Sequence, residues 1–466
     1  MRTIVAAAIL AIPAVTGFKC YSDTKLADAR SLENKGFVVD DTTLRHCSDG
    51  LPDLWPNSWE KVTSLRLLRA WGPEWGDDES RELAWRRLQE YVELNEAKVL
   101  LGTQISCNEQ EDDQDWAWAQ QLLTRLTPHR VMGLAIGNEL ELLHEQMSVN
   151  GSVTGECVER LWRGGGLLAR FNARAEQLRG LPGFEDLPVT TIFSGAALRS
   201  VEGGVGGEGA GAGAGENAFL ETENAAVDTF MRNVSAAYGN RFAYTFSFHP
   251  YFDSSLSLDP GTADQCKQAL AVASCWGNET CHVPAFIASA RKKITNLTGT
   301  NESLLWVGET GWSSAKPDSL STSMAQCPEW SSLEAMKNFY GGFLQWWPSE
   351  IEGLRGPDHL FWYAVRDTAG INGSREGFFG LVESCDSTAC KIRPANYSSE
   401  PDKIETMMEE IAGTSSWWIW FFVGIGSLAF CVIGVFVLVA TGRLRWKEYR
   451  SGRDPRSTMR DNMQHP

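Results

Sequence analysis

Residues 131–143 read VMGLAIGNELELL, an apolar run that is followed at once by polar residues. An apolar run of this length is typical of a buried strand in a parallel sheet. We expect the strand to end at Ile136, where Gly137 allows the backbone to turn. Asn138 and Glu139 are then delivered to the rim of the sheet, the edge at which parallel sheets place their functional side chains.

A second segment has the same form. Residues 304–312 read LLWVGETGW, in which an apolar strand ends at Gly308 and Glu309 follows directly, with Trp312 close behind. The carboxyl ends of parallel strands meet at one edge of a sheet. The two segments therefore predict that Glu139 and Glu309 lie near each other.

Short apolar segments recur along the chain, with room for a crossover helix between successive ones. Helical periodicity predicts two of these helices, at residues 79–92 and 115–126. This spacing indicates βα units, and eight of them would close into a (β/α)8 TIM barrel. A doubly wound open sheet would give the same spacing. Besides the two segments above, the predicted strands are residues 64–68, 98–103, 189–193, 243–248 and 359–364, with residues 18–21 or 37–39 as the first.

Two carboxyl groups at one rim suit the cleavage of a glycosidic bond. One group, protonated, gives its proton to the leaving oxygen, and the other, ionised, attacks or stabilises an oxocarbenium-like centre. We assign Glu139 as the general acid/base and Glu309 as the nucleophile. Burial or the charge of Glu309 must then raise the pKa of Glu139. Asn138, beside the acid, is expected to donate a hydrogen bond to a sugar 2-hydroxyl.

These motifs carry a resemblance to a known family. GNE after one strand and ETGW after a later one resemble the retaining hydrolases with (β/α)8 barrels, and most of all glycoside hydrolase family 17, the β-1,3-glucanases. FSFHPYFD at residues 246–253 resembles that family's N-x-Y-P-Y-F motif, and EGFFGL at residues 376–381 resembles its E-x-x-F-G-L segment. The resemblance implies cleavage of β-1,3-glucan through a covalent glycosyl-enzyme without a metal or other cofactor, with the acid/base after strand four and the nucleophile after strand seven.

The same resemblance suggests further residues that bind substrate. Tyr251 is expected to donate a hydrogen bond to Glu309, the alternative being that it packs under the loop. Trp312 is expected to form a sugar platform or pocket wall, the alternative being a place in the core. Glu376 would hold a sugar hydroxyl or face solvent, and Phe379 would stack on a sugar or join the core.

The sequence also departs from the family pattern. The asparagine ahead of P-Y-F is replaced by Ser247 or Phe248, depending on the alignment. After strand eight, the family's F-D-E-x-W-K becomes VRDTAG, which keeps Asp367 but lacks the lysine. These changes leave both glutamates in place and affect the expected contacts with substrate.

The ends of the chain predict a membrane protein. Residues 1–17 have the short positive start, apolar run and small-residue exit of a signal peptide. Residues 417–440 carry no charge and are long enough to span a bilayer, and the tail at residues 441–466 is basic, which places it in the cytoplasm. We therefore expect a single-pass type I protein of the cell membrane, with a catalytic domain at residues 18–398, extracellular or lumenal, and a juxtamembrane stalk at residues 399–416.

Cysteines and glycosylation sequons agree with that location. Cys431 lies in the predicted spanning helix, which leaves ten cysteines for disulfide bonds, and their pairing is left open by the sequence. A zinc site at Cys275, Cys281 and His282 is not expected, because no second pair of ligands has the spacing of a zinc finger. Seven Asn-x-Ser/Thr sequons predict a glycoprotein, at Asn150, Asn233, Asn278, Asn296, Asn301, Asn372 and Asn396.

Composition narrows the class of function further. The formal net charge of −17 argues against nucleic acid as a partner, because its binders carry basic patches. Nineteen tryptophans suit a protein that handles glycans, and the expected partner is a β-glucan. Residues 203–215 contain a G-x-G-x-x-G pattern, but they form a low-complexity segment and predict a flexible insertion rather than a nucleotide site. The alternatives to a hydrolase are a β-1,3-glucan transglycosylase and a non-catalytic membrane receptor that binds glycans.

Overall fold

A computed structural model describes residues 29–58, 60–75, 77–143, 153–198, 217–252, 263–315, 327–346, 355–368, 375–385, 387 and 390–392. The chain divides into two units, Met1–Ala395 and Asn396–Pro466, and every described residue belongs to the first. The predicted signal peptide, stalk, spanning helix and tail lie outside the described residues, as does the glycine-rich segment 203–215. Among the helices of the described ranges, none has both the length and the apolar character needed to cross a bilayer.

Eight parallel strands form a closed barrel, in which each strand pairs with the next and the last pairs with the first. This closure confirms the predicted (β/α)8 barrel and excludes the open doubly wound sheet. The strands are β1 Lys35–Val39, β2 Ser64–Leu67, β3 Lys98–Thr103, β4 Val131–Asn138, β5 Val189–Ser194, β6 Tyr244–Ser247, β7 Leu305–Thr310 and β8 His359–Trp362.

Helices cover the outside of the barrel, and side chains cap several of their N-termini. Asp40, Asp77, Asn108, Thr154 and Ser332 each accept a hydrogen bond from a backbone N–H in the first turn of the helix that follows. The described helices are α1 Asp41–His46, α2 Asp78–Asn95, α3 Glu109–Leu126, α4 Gly155–Trp162, α5 Gly166–Arg179, α6 Asn217–Tyr238, α7 Ala263–Ser274, α8 His282–Thr298 and α9 Leu333–Gln345.

The barrel interior is a packed apolar core. Trp306 of β7 is its largest apolar member, and Gly133 makes room for it, since a Cβ at that glycine would lie 2.9 Å from the indole ring. A larger apolar layer lies between the strands and the helices. Because the interior is filled, the functional side chains have to sit at the rim. The interior cluster contains Val38, Leu100, Ala135, Ile192, Ala243, Trp306 and Phe361.

The predicted elements differ from the observed ones mainly at their ends. The first strand is β1, which contains the candidate at residues 37–39, whereas the candidate at residues 18–21 lies outside the described residues. Helix α3 begins at Glu109, six residues before its apolar periodicity suggests. Asn108 caps this helix, and acidic residues in its first turn are stabilised by the helix dipole, so its start depends on polar residues that the apolar pattern cannot detect.

Disulfide bonds confirm the expectation drawn from the cysteine count. Cys47–Cys385 joins the end of α1 to the segment after β8, across a sequence separation of 338 residues. Cys107–Cys157 ties the segment after β3 to α4. The other described pairs are Cys266–Cys327 and Cys275–Cys281.

Candidate active site

Irregular pairing at two strand ends delivers the two glutamates to the rim. The register between β4 and β5 shifts between Ala135 and Asn138, and Glu139 follows directly. The register between β7 and β8 shifts between Val307 and Thr310, around Glu309. A bulge of this kind redirects a side chain at a barrel rim. Both glutamates therefore stand where the sheet departs from regular pairing.

Glu139 also has an unusual backbone conformation. Gly137 and Glu139 have φ angles of 85° and 48°, in the left-handed region that a glutamate rarely adopts. Holding a residue with a Cβ there costs about 1–2 kcal/mol. The backbone N–H of Glu139 donates to the carbonyl oxygen of Ile192 at 2.7 Å, which helps to hold this conformation. Strain of this kind is characteristic of functional sites.

Arg66 of β2 connects the two halves of the site. Its neighbours in the ladder, Val38 and Leu100, belong to the interior cluster, so Arg66 faces the inside of the barrel as well. Its Nη1 donates to Oε1 of Glu309 at 2.8 Å and to the carbonyl oxygen of Gly308 at 2.7 Å. The guanidinium is almost fully buried, and it places a positive charge directly against the predicted nucleophile.

The same guanidinium orients Asn138. Nη2 of Arg66 donates to Oδ1 of Asn138 at 2.6 Å, and the asparagine is exposed at the rim. Because its amide oxygen is engaged, the amide nitrogen of Asn138 keeps its N–H groups for a ligand. This geometry is compatible with the predicted hydrogen bond to a sugar hydroxyl.

His249 supplies the second contact to Glu309. Its Nε2 lies 3.3 Å from Oε2 of Glu309, on the oxygen that Arg66 does not contact. His249 lies two residues after the end of β6 and immediately precedes the short 3-10 turn Pro250–Phe252. Glu309 itself is buried. Each carboxylate oxygen of the predicted nucleophile thus faces its own nitrogen atom, one from Arg66 and one from His249.

The surroundings drive the pKa values of the two glutamates apart. Burial, the negative charge of Glu309 and the negative charge of Glu141 raise the pKa of Glu139 to about 8. Burial alone would also raise the pKa of Glu309, but the charge of Arg66 and the hydrogen bond from His249 hold it below its ordinary value. At neutral pH this leaves a protonated carboxyl group beside a carboxylate, the pairing that an acid and a nucleophile require.

Tyr251 and Trp312 are both buried in the apolar core, which is the alternative stated for Trp312 and which replaces the hydrogen bond to Glu309 expected for Tyr251. The hydroxyl group of Tyr251 is hydrogen-bonded to Ser331 at 2.6 Å, and His249 takes the place beside Glu309. Trp312 has no exposed surface, and its indole N–H donates to the carbonyl oxygen of Trp330 at 2.7 Å. The correction for Tyr251 follows from the turn: in a 3-10 turn, residues two apart point to different sides.

Phe379 also lies beneath the surface. It is buried, and its ring packs edge-on against the imidazole of His249 at 5.1 Å between centroids. The more accessible aromatic surface beside it comes from Phe252, which is 38% exposed, and from Tyr363, which is partly exposed. The backbone of Glu376 lies in the 3-10 turn Arg375–Phe378, and its side chain falls outside the described part of the chain.

Asp367, after β8, is paired with a lysine from further along the chain. Nζ of Lys391 lies 2.7 Å from Oδ1 of Asp367, and it also donates to Oγ of Ser314 at 3.0 Å. Asp367 accepts from the backbone N–H of Gly380 at 2.9 Å as well. This ion pair fixes the segment that carries Phe379 against the end of β8.

Arg66 is a functional candidate that the sequence did not reveal, and His249 is one for which the sequence indicated at most a place in the lining of the site, without a catalytic role. Arg66 left a signal, because a charged residue inside the apolar segment SLRLL must find a partner within the barrel. His249 left a weaker one, since it stands immediately before P-Y-F, and the nucleophile that it contacts is 60 residues away. Only the closed barrel brings these side chains to Glu309.

Known proteins of similar structure share little sequence with this chain. No protein-family model matches the sequence, and a search of curated proteins found no match either. Among solved structures, the chain is similar to a plant β-glucan endohydrolase, with 14% identity, a TM-score of 0.46 and coverage of 72% of this chain and 92% of that one. It is also similar to a β-1,3-glucanase and allergen of Cryptomeria japonica pollen, with 12% identity, a TM-score of 0.44 and coverage of 73% and 92%. A third is an active-site mutant of a Rhizomucor miehei β-1,3-glucanosyltransferase in complex with laminaritriose, with 12% identity, a TM-score of 0.37 and coverage of 70% and 83%.

Proposed function

We propose that this protein is a retaining glycoside hydrolase that cleaves β-1,3-glucan. The observation that carries the proposal is the delivery, by β4 and β7, of two carboxyl groups to one rim of the barrel, those of Glu139 and Glu309. Their pKa values shift in opposite directions in one crowded site, which is the condition for assigning an acid and a nucleophile.

In the proposed first step, the carboxyl proton of Glu139 moves to the glycosidic oxygen as the bond from that oxygen to the anomeric carbon breaks. A carboxylate oxygen of Glu309 forms a bond to the same carbon, which gives a glycosyl ester and a free sugar alcohol. Glu139, now ionised, then takes a proton from water. The hydroxide attacks the anomeric carbon, and Glu309 leaves as a carboxylate.

Two features support a glucan as the substrate. The first is the motif resemblance around Glu139 and Glu309 to the β-1,3-glucanases. The second is the aromatic surface of Phe252 and Tyr363 beside His249, which offers an apolar face against which a sugar ring can pack. The amide N–H groups of Asn138 are also placed to donate hydrogen bonds to a sugar hydroxyl group.

The test is an assay of the purified full-length chain on linear β-1,3-glucan, with β-1,4-glucan and mixed-linkage β-glucan beside it. We expect new reducing ends from β-1,3-glucan, and NMR spectra of the first product should show the β-anomer. Products longer than the substrate would identify a transglycosylase, in which a sugar hydroxyl replaces water in the second step. No turnover of any of these glucans, together with measurable binding, would favour the receptor and contradict the proposal.

We also propose that residues 417–440 anchor the barrel to a membrane as a single-pass type I protein. The support is the uncharged run itself and the basic residues that follow it. Membranes from cells that express the chain should retain it through alkaline carbonate washing and release it in detergent. If a chain truncated at residue 416 binds membranes as firmly as the full-length chain, residues 417–440 are not the anchor.

A further inference from the structure

The imidazole of His249 lies in an aromatic pocket at the floor of the site. The rings of Phe379, Tyr363 and Phe252 lie 5.1, 5.7 and 6.2 Å from it, each in an edge-to-face arrangement. Nε2 faces Oε2 of Glu309 at 3.3 Å. Nδ1 is buried, and among the described residues it has no hydrogen-bond partner. The two ring nitrogens therefore have opposite surroundings.

These surroundings discriminate between the protonation states of the ring. An imidazolium would be attracted to Glu309, but the charge of Arg66 already faces that carboxylate at 2.8 Å. The imidazolium would also place a buried N–H at Nδ1 that has no acceptor among the described residues, which is unfavourable. The tautomer with its proton on Nδ1 has the same fault, and it would also turn a lone pair at Nε2 towards a carboxylate. The neutral ring with its proton on Nε2 avoids an unpaired N–H and a lone pair facing the carboxylate. Its Nε2 donates to Glu309, and its Nδ1 is an unprotonated acceptor.

The contacts to Glu309 also distinguish its two oxygens. Oε1 faces the guanidinium of Arg66 at 2.8 Å, in a buried charged pair. Among the described residues, the contact to Oε2 is the longer one from His249, at 3.3 Å. A charged, short hydrogen bond withdraws more electron density than a neutral, long one. Oε2 is therefore the better nucleophile of the two.

We propose that His249 is a neutral donor, with its proton on Nε2, that orients Glu309 so that Oε2 is the atom that attacks the sugar. The assignment of Oε2 rests on the proposed function, whereas the protonation state of His249 does not. Among the described residues, the charged or titratable groups that face Glu309 are Arg66 from β2, Glu139 after β4 and His249 after β6. Within this set, a neutral His249 leaves Arg66 as the counter-charge of the nucleophile.

The protonation state can be measured without any substrate. In the full-length chain labelled with ¹⁵N-histidine, the signals of His249 are those that disappear in His249→Gln. At pH 7 we expect long-range ¹H–¹⁵N spectra to show the tautomer protonated on Nε2. Spectra of an imidazolium, or of the tautomer protonated on Nδ1, would overturn the inference whatever the activity of the protein.

A pair of substitutions tests the role of the contact. The side-chain nitrogen of glutamine can occupy the place of Nε2, whereas that of asparagine reaches only the place of Nδ1. We expect His249→Gln to keep kcat/KM within about 10-fold of wild type, and His249→Asn to lose about 10-fold to 100-fold. We also expect the acidic limb of the pH profile to move to higher pH in His249→Asn alone.

The outcomes separate the two proposals. Equal losses of kcat/KM and equal acidic limbs in the two variants would show that His249 acts only by packing, which overturns its role as a donor. A wild-type chain that is inactive on every glucan would instead contradict the proposed function. The ¹⁵N spectra would still decide the protonation state of His249 in that case.

Discussion

Nη1 of Arg66 lies 2.8 Å from Oε1 of Glu309, inside a barrel where both side chains are buried. The same guanidinium reaches Asn138 through its other terminal nitrogen. A planar fork that binds two groups restricts both in distance and direction. Arg66 therefore links the end of β4 to the end of β7, and it keeps Glu309 ionised beside an acid.

Replacing Arg66 tests this link. We expect Arg66→Met to lower kcat/KM by about 100-fold or more, because it leaves the buried carboxylate of Glu309 without its charged partner. Arg66→Lys should recover only part of the loss, since an ammonium group cannot make the forked contact. The acidic limb of the pH profile should move to higher pH in Arg66→Met, because this cation lowers the pKa of Glu309.

The control for Arg66 is Arg179, which forms an exposed ion pair with Glu176 at 3.0 Å. Arg179→Met should leave the pH profile unchanged, because exposed pairs contribute little. A profile for Arg66→Met that matches that of Arg179→Met would show that Arg66 does not set the ionisation of Glu309.

The basic limb of the pH profile should report Glu139. Activity should fall as the pH rises through about 8, because the proton that Glu139 donates is then lost. The charge of Glu141 contributes to the raised pKa of Glu139, so Glu141→Gln should move the basic limb to lower pH. The measurement is kcat/KM between pH 4 and pH 10. If the basic limb of Glu141→Gln lies at the same pH as that of wild type, the charge of Glu141 does not raise the pKa of Glu139.

Glu139 should also reduce the stability of the folded protein at high pH. The folded protein holds the proton of Glu139 more tightly than the unfolded chain does. The folded state is therefore not penalised below the ordinary pKa of 4.5, and it loses stability as the pH rises from there to about 8. Glu139→Gln, which cannot ionise, should therefore raise Tm at pH 8 by about 2–4 °C, with a smaller rise near pH 5. Thermal unfolding at both pH values tests this. A Tm difference that does not depend on pH would contradict it.

At the opposite end of the barrel, Lys35 should stabilise the closure of the fold. Its buried Nζ donates to three carbonyl oxygens, those of Arg30, Leu344 and Trp346. Lys35→Met leaves all three without this donor and should lower the free energy of unfolding by about 2–4 kcal/mol. Lys61 is the matched control, because it is exposed and donates to one carbonyl oxygen, that of Leu94. Similar denaturation midpoints for Lys35→Met and Lys61→Met would contradict this account.

The barrel itself could be predicted from the sequence, because its strands are continuous apolar runs at spacings that leave room for helices. Element ends were harder to predict. Helix α3 begins at a polar cap, and β1 was one of two short candidates until its pairing with β8 was known. The strand irregularities beside Glu139 and Glu309 depend on neighbouring strands, so local sequence could not reveal them.

The site was predicted in part. Glu139, Glu309 and Asn138 stand at strand ends, where a local pattern identifies them. Tyr251 and Trp312 were assigned to the site from the position of their motifs, and the structure places both in the apolar core. Arg66 and His249 meet Glu309 only through contacts between distant strands, and such contacts cannot be inferred from the spacing of residues along one chain.

The proposed reaction depends most directly on the two glutamates. The decisive measurement is the initial rate of reducing-end release from linear β-1,3-glucan at pH 6 by wild type, Glu139→Gln, Glu309→Gln and Glu96→Gln. Glu96 is the matched control, since it is an exposed glutamate whose φ of 53° resembles the 48° of Glu139. We predict that Glu309→Gln and Glu139→Gln each lose at least about 100-fold, while Glu96→Gln keeps the wild-type rate. A Glu309→Gln variant that cleaves as fast as wild type would contradict the account.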